Sequence, residues 1–455
     1  MPNLYDIAYA VGLAAAAPYW LLVPRTRRKV LKALRERMGR SGIETAARAT
    51  AFQKPAVMIH AVSLGEINAT RGMVRLLAAV RPDLRFVVSV TTDTGHTRGV
   101  ELYGSDPKVT LIRYPLDFSG AIRRVVDAFR PSIVVLMELE VWPNFILHCH
   151  RRGIPVLLVN GRLTTYSFKN YRKFRPLLAR TFRRLSVVCA QDKLFAERFI
   201  ALGTPSERVR ITGTMKFDTA QIADHIEGQD ELASSLGLLP PSGPIWVCGS
   251  TGPGEEPILL RCYRKLLAAH PALRLVIVPR HPERFDAVAV LIRDQGFQVL
   301  RRSENRGPAA QPKDPKADSA NTPPVVLGDT MGEMRKFYSL STIVFVGRSL
   351  VDLGPRQHGS DMIEPAALAK PVVVGPWTHN FADAMSRFGE AGAMKVVGSE
   401  AELVEAVDAL LANADQSHTM GVRAQAVVRA EQGATARHVE LILAYLDGPK
   451  GQLDS

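Results

Sequence analysis

The sequence predicts two doubly wound α/β domains in tandem. Three observations carry that expectation. The chain has 455 residues, too many for one ordinary core. From residue 55, short β-branched runs alternate with amphipathic stretches. A polar stretch, then one rich in Leu, Pro and Gly, interrupts the alternation at 219–243, after which it restarts.

In the first half the predicted strands are Ala56–Val62, Arg85–Thr91, Val109–Tyr114, Ile133–Met137, Pro155–Asn160, Ser186–Ala190 and Val209–Thr212, with helical patterns between them. In the second half they are Ile245–Ser250, Leu273–Pro279, Phe297–Arg301, Val325–Leu327, Ile343–Val346, Pro371–Val374 and Met394–Val397. The alternation predicts parallel sheets covered by helices on both faces, with a cleft between the carboxyl edges of the two sheets. Ser303–Pro324, rich in Pro, Ala, Lys, Asp and Asn, reads as a flexible surface insertion. Amphipathic helices over roughly 399–447 end in a polar tail. The expected organisation is an N-terminal anchor (1–24), a first α/β domain (25–218), a linker (219–243), a second α/β domain (244–447, with 303–324 inserted) and the tail 448–455.

Hydrophobic residues at 46% and charged residues at 22% are ordinary for a globular chain, but the net charge of +14 is not. It predicts an anionic partner: nucleic acid, an acidic membrane surface or phosphorylated substrates. Cys149, Cys189, Cys248 and Cys262 form no CxxC pair and no zinc spacing, so they read as reduced core residues.

Ile7 to Val23 is an uncharged apolar run, preceded by Asp6 and containing Pro18. It lies at the lower limit for a spanning helix. Between Arg25 and Arg40 stand eight Lys/Arg against one acid, Glu36. The basic side follows the apolar run, which predicts an anchor, spanning or interfacial, with the rest of the chain in the cytoplasm. A cleavable signal would carry its positive charge first. The alternative is a buried core helix followed by a solvated basic one.

Several segments offer chemistry. The first strand runs into Ser63-Leu64-Gly65-Glu66, where a carboxylate at the sheet's carboxyl edge is suited to take a proton. Ser63-x-x-Glu66 equally matches a capping box. The fourth strand ends in Glu138-Leu139-Glu140-Val141-Trp142-Pro143. These acids either face the cleft, both the same way if the strand continues, or complement the dipole of the following helix. Thr164 to Arg184 carries seven Lys/Arg and no acid, interleaved with Tyr166, Phe168, Tyr171, Phe174 and Phe182. That pattern suits a phosphorylated amphiphile, single-stranded nucleic acid, or an ordinary solvated face. Lys216 lies where the first domain ends, and a cation there is suited to stabilise developing negative charge.

In the second half, Gly249-Ser250-Thr251-Gly252-Pro253-Gly254 between a strand and a helix predicts an anion site made by backbone N–H groups. It lacks the Gly-Lys-Ser/Thr of a P-loop. Pro279-Arg280-His281 offers a guanidinium to phosphate. Thr330-Met331-Gly332-Glu333 starts a helix and also matches a capping box. Asp361-Met362-Ile363-Glu364 precedes another, where Glu364 is suited to ribose hydroxyls.

Taken in order, these segments resemble the Kdo transferases of lipid A assembly, Kdo being 3-deoxy-D-manno-octulosonic acid. The resemblance runs from the N-terminal segment to about Phe381. It implies a GT-B fold, CMP-Kdo as donor substrate with no cofactor, and a phosphorylated glycolipid acceptor. It also implies inversion without a metal, at the cytoplasmic face of the inner membrane. Carried onto matching positions, Glu66 would be the general base, with Glu138 and Lys216 assisting the transition state. Pro279, Arg280, Met331, Gly332, Glu333, Asp361, Met362, Ile363 and Glu364 would hold CMP. An anionic membrane surface is the expected partner, and nucleic acid is not.

Four motifs depart from the family pattern. Gly-His-Asn becomes Gly359-Ser360-Asp361, and Gly-Gly-Ser becomes Gly347-Arg348-Ser349. Asn-Ala-Arg-Leu becomes Asn160-Gly161-Arg162-Leu163, and the His often found after Gly-Ser-Thr is Gly252. Arg348 would compensate the charge of Asp361. The departures keep open a GT-B transferase or epimerase using another nucleotide sugar. The basic charge keeps open a non-catalytic membrane-surface or nucleic-acid-binding protein.

Overall fold

A computed structural model describes residues 3, 5–12, 14, 36–39, 55–239, 242–305, 322–354 and 357–448. The first sheet contains β1 (Ala56–Ala61), β2 (Arg85–Val90), β3 (Val109–Arg113), β4 (Ile133–Met137), β5 (Val156–Gly161), β6 (Val187–Ala190) and β7 (Val209–Ile211). The second contains β8 (Ile245–Thr251), β9 (Arg274–Pro279), β10 (Val299–Arg301), β11 (Val325–Leu327), β12 (Ile343–Val346), β13 (Val372–Val374) and β14 (Met394–Val396). Every predicted strand is present, displaced by at most two residues at an end.

Both sheets are wholly parallel and seven-stranded, in the orders β3-β2-β1-β4-β5-β6-β7 and β10-β11-β9-β8-β12-β13-β14. Strands covered on both faces read as continuous apolar runs, as in the fully buried Ile133-Val134-Val135-Leu136-Met137 of β4. The order turns back between β1 and β4 in one sheet and between β8 and β12 in the other. Doubly wound sheets leave a ligand crevice outside the carboxyl ends at such points.

The chain divides into two compact units, one of Met1–Thr219 with Gln432–Ser455, the other of Ala220–Glu431. This corrects the expected second domain of 244–447: the last helix, Ala434–Asp447, packs on the first sheet. Its Ala434, Val439 and Ile442 join the core formed by Val57, Ile59, Val135 and Leu157. Asp218 accepts the N–H of Gly433 at 2.7 Å and of Thr435 at 2.5 Å, tying the helix start to the end of the first unit's main segment. An amphipathic pattern announces that one face is covered, not which sheet covers it. The expected linker is likewise structured. Its helix Gln229–Ser235 buries Leu232 and Ala233, and it belongs to the second unit.

Of the apolar run Ile7–Val23, residues 7–12 and 14 are described and helical, and the rest lies outside the described residues. Asp6 fastens this helix to the first unit, accepting the backbone N–H of Ser119 at 2.8 Å and the Asn144 amide at 3.1 Å. Ile7 and Val11 stay exposed. Among the described residues no helix is long and apolar enough to cross a membrane. Most of the basic flank 25–40, the insertion from 306 to 321 and the tail beyond 448 lie outside the described residues. All four cysteines are buried and free.

Candidate functional site

In the first unit the crossing point between β1 and β4 gathers three carboxylates. Glu66 stands in the first turn of the helix Leu64–Val80, directly after β1. The capping box forms in full: Glu66 N–H donates to Ser63 Oγ at 3.2 Å, and Ser63 N–H donates to Glu66 Oε1 at 3.2 Å. Val62 N–H adds a bond to Oε2 at 2.9 Å. Each carboxylate oxygen keeps a second lone pair. The cap therefore fixes the carboxylate without exhausting it.

β4 ends at Met137, so Glu138 and Glu140 do not share a strand face. Glu138 takes a left-handed conformation, φ +52°, while its N–H still donates to Val159 O at 3.0 Å. Non-glycine residues held there store strain, which concentrates at functional edges. Burial raises the pKa of Glu138, the nearby charge of Glu66 raises it further, and Arg162 and Lys216 pull it back. Burial pushes Glu140 up to about 7 against a bond from Trp142, with Glu66 and Glu138 adding to the rise. The turn thus brings Glu66, Glu138, Glu140 and Lys216 into one electrostatic neighbourhood. Buried His60 faces Glu140 at 3.8 Å, but burial holds its ring neutral, with a pKa near 3, so the contact is no ion pair.

Neither Glu138 nor Glu140 serves the following helix, Pro143–Arg151, whose first turn contains no acid. Asp117 caps it from the β3–β4 connection, accepting Asn144 N–H at 3.0 Å and Phe145 N–H at 2.9 Å. Lys216 is positioned from β5: Asn160 Oδ1, on a residue at φ +53°, accepts Met215 N–H at 3.1 Å. Sequence reasoning passed over Asp117 and the positioning role of Asn160, since both act on residues distant in the chain. The adjacent glutamates of the motif were the available signal for Glu140.

The aromatic residues of 164–184 divide. Phe182 is fully buried and Tyr171 packs against it, with ring centroids 6.0 Å apart. Phe168 lies beneath Arg172 and Arg198, each 5.7 Å from its centroid. Tyr166, Phe174 and Leu177 are exposed among the basic residues.

In the second unit the β8–β12 crossing point differs from the expected anion cradle. Buried Glu255 fills it. One carboxylate oxygen accepts the N–H groups of Gly252 and Arg348, both at 2.7 Å, and the other those of Ser349 and Leu350, both at 2.9 Å. Of the predicted turn Gly249–Gly254, the Gly252 N–H is thus taken by a group of this chain; the other three N–H groups come from the loop after β12. Pro279 is buried at the end of β9, and the next residue, Arg280, is exposed. Arg280 N–H donates to Thr251 O at 3.1 Å.

Met331 and Gly332 form an exposed turn, and Gly332, at φ +84°, has open space where a Cβ would stand. Glu333 makes no capping box. It precedes the helix Met334–Leu340 and pairs with Arg302 at 2.9 and 3.0 Å. Asp361 accepts Ile363 N–H at 2.9 Å. The side chains of Met362 and Ile363 are fully buried, which leaves only their backbone for a ligand. Glu364 makes no side-chain hydrogen bond among the described residues, and burial, then Asp361, pushes it up to about 7. Among the described residues no group of three or more His, Cys, Asp or Glu is arranged to hold a metal ion.

Two doubly wound units, each with polar groups at its crossing point, are the architecture of GT-B nucleotide-sugar enzymes. A solved glycosyltransferase from Rickettsia africae shares it at TM-score 0.57 and 13% identity, over 88% of this chain and 100% of that one, a likeness of fold alone. Residues 32–219 match the family model for 3-deoxy-D-manno-octulosonic-acid transferase (kdotransferase). The 3-deoxy-D-manno-octulosonic acid transferase of Haemophilus influenzae is 36% identical over 86% of this chain and 87% of its own. That of Bordetella pertussis is 31% identical over 96% and 99%. The chain belongs to the Kdo transferase family, and it is a glycosyltransferase.

Proposed function

We propose that the protein moves Kdo from CMP-Kdo to a hydroxyl of a phosphorylated lipid A precursor, with inversion at the anomeric carbon. The observation that carries this reading is the cluster of Glu66, Glu138, Glu140 and Lys216 at the β1–β4 crossing point in a chain of this family. Glu66 takes the acceptor's proton as the acceptor oxygen bonds to the anomeric carbon. The bond from that carbon to the phosphate oxygen breaks, and CMP leaves with the electron pair. Glu138 and Lys216 balance the charge around the reacting oxygen. In the second unit Arg280 binds the phosphate and Glu364 the ribose. Met331 and Gly332 offer an open turn, held by Glu333, and the backbone of Asp361 to Ile363 completes the CMP site.

The acceptor is a lipid, so the enzyme works at the cytoplasmic face of the inner membrane. The exposed Ile7, Val11, Tyr166, Phe174 and Leu177 and the basic residues around 172–184 support that placement. Transfer of radiolabelled Kdo from CMP-Kdo to a tetraacyl disaccharide-bisphosphate lipid tests the reading. Product is expected. Stabilisation by UDP or GDP but not CMP, without Kdo transfer, would overturn the donor assignment.

A further inference from the structure

Arg348 stands where the family pattern has glycine, and it keeps a glycine-like backbone, φ +59°. A bulky residue held there is strained. The conformation is enforced by Glu255, which accepts the N–H groups of Arg348, Ser349 and Leu350. The second departure nearby, Gly252 in place of the usual His, faces the first. A Cβ at Gly252 would lie 3.0 Å from Arg348 Cγ and 2.6 Å from Leu353 Cδ1. Leu353 first, and the stem of Arg348 next, therefore occupy the room that a side chain at 252 would need, so the two departures share one space.

Arg348 makes no side-chain hydrogen bond or ion pair among the described residues, so it does not neutralise Asp361 as expected, and its Nε is buried without an acceptor. Glu255 already accepts two N–H groups on each oxygen. Arg280 borders the same turn: its N–H donates to Thr251 O at 3.1 Å, and the residue after Thr251, Gly252, is the one that Arg348 Cγ faces. Burial lowers the Arg348 pKa, the like charge of Arg280 lowers it further, and Glu255 opposes both. Glu255 is the acid beside Arg348, but all four of its hydrogen-bond positions are filled by backbone N–H groups, so the Arg348 guanidinium stays free to bind a further anion.

We propose that Arg348, with Arg280, forms a two-guanidinium clamp for an oxyanion of the nucleotide-sugar donor, either its phosphate or its sugar carboxylate. Arg348 acts as a substrate-binding residue beside Gly252. The inference rests on the donor reading above, and its test separates the two.

Full-length protein and Arg348→Gly, which relieves the left-handed strain and preserves folding, are titrated calorimetrically with CMP, cytidine, UDP and GDP. The donor KM is measured in parallel. Losing a charge-assisted bond pair is expected to weaken CMP about 10- to 100-fold and leave cytidine unchanged. If CMP binding holds while the KM for CMP-Kdo rises about tenfold, the carboxylate is the clamped group. If neither changes in folded Arg348→Gly, the clamp is refuted. If the wild type binds UDP or GDP instead of CMP and the variant loses that binding, the clamp stands and the donor reading falls. Absence of all nucleotide binding in the wild type overturns both. Gly252→His alone is expected to lower CMP affinity by displacing Arg348, and Gly252→His with Arg348→Gly to recover part of it. Additive effects would contradict the coupling.

Discussion

Glu66 and Ser63 cap the same helix reciprocally, so the candidate base and the helix start are one structural device. The two roles separate by substitution. Glu66→Gln keeps an oxygen for one backbone N–H and loses the basicity. We expect folded protein, destabilised by about 1 kcal/mol or less, with turnover reduced about 10²- to 10⁴-fold. Ser63→Ala is expected to cost about 1 kcal/mol while retaining most turnover. Denaturation curves and the transfer assay read both. Near-normal turnover in Glu66→Gln would remove Glu66 from the mechanism.

Asn160 holds the Lys216 loop through Met215 N–H. Asn160→Ala leaves that buried N–H unpaired and puts alanine at φ +53°. The expected loss is about 2–3 kcal/mol. Asn160→Gly relieves the backbone and not the missing bond. If positioning Lys216 matters, turnover falls in both variants, while stability recovers partly in the glycine variant.

Glu140 links the site to pH. Burial raises its pKa from 4.5 to about 7, so the folded state holds this proton more tightly than the unfolded chain. The associated stability is complete below pH 4.5 and is lost as pH rises through 7. Glu140→Gln removes that dependence. Its stability between pH 5 and 8 is expected to fall less than the wild type's, by about 1–3 kcal/mol. Parallel curves in urea for the two proteins would show that Glu140 is not the group responsible.

The last helix belongs to the first unit. Ile442→Ala opens a cavity in the core beneath β1, β4 and β5, at an expected cost of about 2–5 kcal/mol. Hydrogen exchange is expected to accelerate in β1 and β4 and stay unchanged in β8 and β12. The opposite pattern would assign the helix to the second unit.

The strands were legible because parallel sheets buried on both faces leave uninterrupted β-branched runs, as in Ile343–Val346 and Val325–Leu327. The loops between them were legible as chemistry but not as geometry. Ser63-x-x-Glu66 and Thr330-x-x-Glu333 share one pattern, yet only the first becomes a capping box. The second helix starts only at Met334, so Glu333 is its N-cap and not its third residue; its carboxylate accepts the Thr330 hydroxyl and pairs with Arg302, 31 positions upstream.

The sequence by itself determined the two parallel sheets, the kinship and the list of polar residues at the strand ends, because period, turn chemistry and residue type are local properties. Only the tertiary structure decided which groups remain available. Glu255 takes the Gly252 N–H of the turn expected to hold an anion, Asp117 relieves Glu138 and Glu140 of helix capping, and Leu353 and Arg348 crowd Gly252. Each outcome depends on residues brought together from separate loops, where burial raises the cost of an unpaired polar group and so selects its partner.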